Sequence, residues 1–246
     1  MAKVREVIEK LEKIAPLASQ EEWDNSGWQV DLGIKNTKNI LLALNVTEDT
    51  VRQAISQNCD LIISHHPLIF QPLKTIKNKV LISAIQNKIQ IYSAHTNFDK
   101  ASIGTTQTLV ERLKKSLELR LVKDLNEFIK VSTLKTPLAC SDFLCKLKEN
   151  LGLKYVKVSR PVAQVKTVAF CAGAGADFAS IVKQKNVDCF ITADVKYHQA
   201  LDNNLMIVDI GHFESEIISL KSIEKLLSPL DVNLVLSNEV PIFEIV

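Results

Sequence analysis

The stretch Asp60-Leu-Ile-Ile-Ser-His65-His66-Pro67, continuing as Leu-Ile-Phe-Gln-Pro72, reads as a buried strand that ends in a histidine pair. An unbroken apolar run bounded by polar residues is the pattern of a strand covered on both faces. On its N-terminal side, Ile40-Leu-Leu-Ala-Leu44 is a second such run. Thr47 then stands as a helix cap, with Glu48 and Asp49 in the first turn and a helix running to about residue 58. On its C-terminal side, residues 81–87 read as helix, 89–93 as strand and 103–116 as a helix with apolar residues at helical spacing.

The second half repeats the scheme. Residues 168–171, 188–192 and 205–210 read as strands, and 177–185 and 214–227 as helices. Alternation of this kind predicts an α/β fold with mainly parallel sheets. Segments 40–66 and 167–194 share strand, helix and Asp-initiated strand at nearly the same spacing, and each ends in a polar cluster. That similarity suggests an internal duplication: two similar α/β domains, about 1–125 and 126–246, facing each other across a cleft. The less regular stretch 117–165 is expected to link them.

The chain has 246 residues, 46% hydrophobic and 24% charged, with a formal net charge of +2. These are ordinary values for a globular protein, and they give no support to nucleic-acid binding. The N-terminus reads as an amphipathic helix rather than a signal peptide. No apolar run approaches the ~18 residues needed to span a bilayer. The five cysteines form no Cys-x-x-Cys pair and are odd in number. They are expected to be reduced, mostly buried thiols, which places the chain in the cytoplasm.

In an open parallel sheet, functional residues collect beyond the carboxyl ends of strands. Four polar clusters obey that rule: His65-His66, His95-Thr96-Asn97-Phe98-Asp99, Ala193-Asp194-Val-Lys196-Tyr197-His198, and Gly211-His212-Phe-Glu-Ser-Glu216. His212 and Glu216 lie one helical turn apart. A sheet that gathers these ends would assemble His65, His66, Asp99, His212 and Glu216 around one point. Nitrogen and oxygen donors in that mixture suit Zn, Mn or Fe(II). Five exceed what one catalytic zinc takes from protein, which suggests two ions with Glu216 as the bridge. Taken singly, each residue has a simpler reading: His212 and Glu216 as a surface pair, Asp99 as a cap before helix 103–116. Cys171-Ala-Gly-Ala-Gly175 reads as a close strand–helix turn, with approach to a phosphate as the alternative. Glu22-Trp23-Asp24-Asn25-Ser-Gly27 is either a plain turn or a loop that contacts substrate.

These motifs resemble those of the type 2 GTP cyclohydrolase I family, also called Ngg-interacting-factor-three-like proteins. The matching residues are Glu22-x-Trp-Asp-Asn-x-Gly27, Asp60 to Pro67, His95-Thr-Asn-Phe-Asp99, Tyr197-His198 and Gly211 to Glu216. The resemblance implies two interlinked α/β domains with a dinuclear metal site in the cleft between them and a ring-shaped homohexamer; the extra domain inserted in some members is not expected in a chain of this length. It places the metal ligands on His65, His66, Asp99, His212 and Glu216. It also implies hydrolysis of GTP by water to dihydroneopterin triphosphate and formate, toward folate, with attack at C8 of the guanine. His95 and His198 are then candidates for proton transfer. Trp23, Asp24, Asn25, Thr96 and Asn97 are candidates for holding the substrate, with bonds that support the ligands as a second role for Thr96 and Asn97. Three positions depart from the pattern: Asn45 for an aspartate, Trp28 for a leucine and Ala193 for a glycine. The alternatives are a metal-containing regulatory or interaction protein without turnover, and a metallophosphatase or nuclease.

Overall fold

A computed structural model describes residues 1–244. In chain order, strand β1 (Ala2–Lys3) leads into helix α1 (Val4–Glu12), followed by β2 (Gly27–Val30), β3 (Asn36–Thr37) and β4 (Asn39–Ala43). Next come α2 (Glu48–Ser56), β5 (Leu61–Ser64), α3 (Lys79–Gln86), β6 (Gln90–Ser93), α4 (Thr96–Asp99) and α5 (Thr105–Lys114). The middle of the chain holds β7 (Leu119–Asp124), β8 (Lys130–Ala139), α6 (Cys140–Leu151), β9 (Lys157–Ser159) and β10 (Gln164–Phe170). The remainder is α7 (Ala179–Lys183), β11 (Cys189–Thr192), α8 (Tyr197–Asp202), β12 (Met206–Asp209), α9 (His212–Glu216), α10 (Leu220–Leu227) and β13 (Asn233–Leu236).

The chain divides into two compact units, residues 1–103 with those from 220 onward, and residues 104–219. This differs from the sequence expectation of a single cut near residue 125. The physical reason lies near the C-terminus. β13 pairs in parallel with β4, matching Leu234 to Ile40 and Leu236 to Leu42, so the last strand completes the first unit's sheet.

The first unit carries a five-stranded sheet in the order β13-β4-β5-β6-β2. All its pairs are parallel except β2 with β6. Alternate strand residues Leu41, Ile62 and Ile91 pack under Val51 and Ala54 of α2 and Leu81 and Ala84 of α3. In α1 the buried residues are Val4, Val7, Ile8 and Leu11, an i, i+3, i+4, i+7 stripe. Thr47 caps α2 in a reciprocal box with Thr50. The register sets the site: Ala43, Ser64 and Ser93 lie side by side across β4, β5 and β6. Asn45, His65, His66 and His95 therefore leave the sheet at one edge.

The second unit has a six-stranded sheet, β7-β8-β10-β11-β12-β9. Only β10-β11-β12 is parallel; the flanking pairs are antiparallel. The mainly parallel character expected from sequence thus holds for the first sheet and for the centre of this one. Val168, Phe170, Cys189, Ile191 and Val208 pack with α5 and α6, while Ala169, Phe190 and Ile207 pack with Ala179 and Val182 of α7. The stretch 117–165, read from sequence as a linker, instead builds β7, β8, α6 and β9 of this unit. Its two-sided polarity hides it: β8 is only half-covered, so it shows no continuous apolar run. The expected helix 214–227 is broken into α9, a 3-10 turn at Ile217–Ser219 and α10. All five cysteines are thiols rather than disulfides; Cys59, Cys171 and Cys189 are buried and Cys145 is exposed. Among the described residues no helix is long and apolar enough to cross a membrane.

Candidate functional site

At the carboxyl edge of the first sheet, His65, His66 and His95 each offer a ring nitrogen, and these atoms lie within 4.8 Å of one another. Each ring is held through Nδ1. His65 Nδ1 lies 2.9 Å from the carbonyl oxygen of Ala94, which can only accept, so Nδ1 carries the proton and Nε2 the lone pair. His66 Nδ1 lies 2.8 Å from Asn45 Oδ1. His95 Nδ1 lies 2.7 Å from Asp24 Oδ1. Fixing Nδ1 against an oxygen acceptor presents Nε2 as the basic atom, the arrangement found behind histidine metal ligands. Asp99 ends α4, and its Oδ1 is 3.5 Å from His65 Nε2. The N-cap position of α5 is taken by Gly104, not by Asp99.

The loop before β2 organises His95. The Asp24 side chain is fully buried. Its Oδ1 accepts from Asn25 N and faces His95 Nδ1; its Oδ2 accepts from Thr96 N and Thr96 Oγ1. Burial alone would raise its pKa, but the bonds from His95 and Thr96 win and hold the carboxyl well below the usual carboxylate range. The Asp24 oxygens face donors of the protein itself, and the carboxylate positions His95. Thr96 Oγ1 also accepts from Glu21 N. Asn97 is buried, donating to Ala15 O and accepting from Ser26 Oγ, so both residues brace the loop. Asn25 Nδ2 donates to Ile69 O, tying the loop to the segment after His66.

Trp23 remains 56% exposed, 5.8 Å from Phe70 between ring centroids and 6.0 Å from His95. Phe70, itself 47% exposed, was not singled out from sequence. Its only signal is an aromatic residue four positions after a histidine pair in a polar, proline-flanked loop.

In the second unit, Gly211 with φ +89° turns the chain from β12 into α9. His212 Nδ1 lies 2.7 Å from Asp194 Oδ2, and His212 Nε2 lies 3.0 Å from Glu216 Oε2. Burial works to lower the His212 pKa, but Glu216 and then Asp194 raise it to about 9. Two carboxylates on one imidazole make this a site for positive charge. Gly173, φ +64°, passes so close that a Cβ there would sit 2.1 Å from Glu216 Oε1. The glycine pair thus serves close packing, as the turn reading expects. Gly175 meets the same constraint against Cys171 and Thr192. Asp194 was visible in its cluster, but its role as the partner of His212 was not. His198 sits exposed on α8 with its ring against Tyr197.

The imidazole and carboxylate donors fit a borderline divalent ion such as Zn, Mn or Fe(II). The profile of Duf34/NIF3 (NGG1p interacting factor 3) matches residues 2–242. A GTP cyclohydrolase 1 type 2 homolog of Clostridium perfringens is 36% identical, over 96% of this chain and 97% of its own. A GTP cyclohydrolase 1 type 2 of Helicobacter pylori is 36% identical over 88% of each chain. The crystal structure of a Bacillus cereus protein related to NIF3 superposes with a TM-score of 0.87 at 22% identity, covering 100% of this chain and 99% of that one. With the fold, the motif order and the full-length match in agreement, the chain belongs to the Duf34/NIF3 family.

Proposed function

We propose that the protein is a metal-dependent hydrolase of a purine nucleotide, with GTP ring opening to dihydroneopterin triphosphate and formate as the reaction. The observation that carries this reading is the set of imidazoles locked through Nδ1, with the His65, His66 and His95 nitrogens within 4.8 Å of one another. The proposed ligand set is His65, His66, Asp99, His212 and Glu216, holding two divalent ions. Such ions, when bound, polarise the substrate and make water acidic enough to react near neutral pH.

The remaining roles fall to side chains of this chain. His95 accepts or returns a proton at Nε2, with Asp24 holding Nδ1–H and stabilising the charged ring. His198 is the second proton-transfer candidate; its exposure makes it the weaker one. Trp23 and Phe70 present exposed ring faces beside His95, a surface on which a purine can stack. The names of the relatives point to the same nucleotide. A cytoplasmic location and a ring-shaped homohexamer belong to this reading.

The test is direct. Protein loaded in turn with Zn, Mn and Fe(II) is incubated with GTP, and formate and pterin release are measured beside a His66→Ala variant. Turnover lost in the variant is expected. No turnover with any metal, in protein shown to hold metal, would move the assignment to another hydrolase substrate or to a binding protein.

A further inference from the structure

We propose that Glu239, near the end of the described chain, is a positioning residue that fixes the protonation pattern of His66 through Asn45. The inference rests on His66 being a metal ligand. The parallel pairing of β13 with β4 brings Glu239 to the same sheet edge as Asn45, although the two are 194 residues apart.

All four groups on the Glu239 carboxylate are donors. Oε2 accepts from Leu44 N at 2.8 Å and from the Ser237 hydroxyl; Oε1 accepts from Asn45 N at 2.8 Å and Asn45 Nδ2 at 3.0 Å. A carboxylate only accepts, so Asn45 must turn its NH2 toward Glu239. That turns Oδ1 toward His66 Nδ1, 2.8 Å away. An amide oxygen also only accepts, so His66 carries its proton on Nδ1 and keeps the Nε2 lone pair. One carboxylate thus sets an amide orientation, and the amide sets a tautomer. Without Glu239 the amide can face either way, and the opposite orientation demands an acceptor at Nδ1 and places the proton on Nε2, where a metal cannot bind.

Three variants of the full chain test this: Glu239→Gln, Asn45→Asp, and the double variant. Tautomers of His66 are read from ¹⁵N shifts in chelator-treated protein, and Zn affinity by calorimetry, with His66→Ala as the control. Glu239→Gln leaves one acceptor oxygen for two backbone N–H groups, Leu44 N and Asn45 N; with that oxygen on Leu44 N and the Ser237 hydroxyl, its NH2 faces Asn45 and inverts the Asn45 amide. The expected result is a loss of the Nδ1–H tautomer and roughly 10-fold weaker Zn binding, the lower end for outer partners of a metal ligand. In the double variant, the carboxylate introduced by Asn45→Asp accepts at either oxygen, so the Nδ1–H tautomer and the affinity should return to near the starting values. Asn45→Asp alone sets two carboxylates against each other and should melt below the double variant. Glu239→Gln therefore stabilises a protein that already carries Asn45→Asp and destabilises one that keeps Asn45. An unchanged tautomer in Glu239→Gln overturns the proposal, and so does a loss that adding Asn45→Asp fails to rescue, which marks a merely structural role. A switched tautomer with Zn affinity unmoved in both Glu239→Gln and His66→Ala would uphold the relay and overturn His66 as a ligand.

Discussion

Replacing Asp24 by asparagine should destabilise the protein at neutral pH and do so less and less in acid. Four donors converge on this carboxylate: Asn25 N and His95 Nδ1 on one oxygen, and Thr96 N and Thr96 Oγ1 on the other. Two of them, Asn25 N and Thr96 N, are backbone groups on opposite oxygens and cannot turn away. An amide has one acceptor oxygen, so in either orientation its NH2 meets a fixed N–H. Bonds to a charged acceptor contribute about 1.5–3 kcal/mol each, and a stranded buried donor costs about 1–3 kcal/mol. A net loss of about 3 kcal/mol follows, or roughly 6–12 °C in Tm for a chain of this size. The sign of the pH effect is set by the lowered pKa of Asp24. Its contribution is complete above the unfolded value of about 4 and is lost as pH falls through the lower native value. Thermal melts of wild type and Asp24→Asn in chelator, from pH 3 to pH 8, should show a constant gap down to about pH 5 that narrows below about pH 4. A gap below about 2 °C at pH 7, or one that does not narrow in acid, would refute the buried-acceptor argument. In metal-loaded protein the same variant should lower kcat by about 10²–10⁴ if His95 transfers the proton.

Further expectations concern the aromatic surface, the glycine turn and the metal. Trp23→Ala and Phe70→Ala should each raise KM for a purine nucleotide by roughly 10-fold with little change in kcat, since stacking contributes about 1–3 kcal/mol per base; equal effects on a nucleotide-free phosphate ester would argue against stacking. Gly173→Ala drives a methyl into Glu216 Oε1 at a positive φ and should cost about 1–3 kcal/mol together with metal content. Gly152→Ala, at φ +69° with nothing within 4 Å, should cost only about 1 kcal/mol and leave metal content alone; matching losses by elemental analysis would show that strain, not the clash, is responsible. Zn at about 100 times its dissociation constant should add about 2.7 kcal/mol to stability. A calorimetric scan should show this rise abolished in His65→Ala and by chelator.

The local elements were legible because their causes are local. The apolar runs at 40–44, 60–64 and 188–192 are strands buried on both faces, and side chains buried all round must be apolar whatever the neighbours are. The strand-end rule likewise located His65, His66, His95 and His212, since the loops beyond the carboxyl edge of a parallel sheet are where functional side chains collect. Residues 117–165 resisted the same reasoning: half-covered antiparallel strands dilute the apolar pattern, so β7, β8 and β9 emerge only from their pairing. The partners of the histidines were hidden for a different reason. Asp24 reaches His95 across 71 positions, and Asn45 reaches His66 across 21. A hydrogen bond is specified by two directions in space, whereas spacing along the chain specifies neither. Residue types and periodicity therefore named the elements and the candidate ligands; which nitrogen each imidazole presents, and that Glu239 belongs beside Asn45, follow from strand order and register alone.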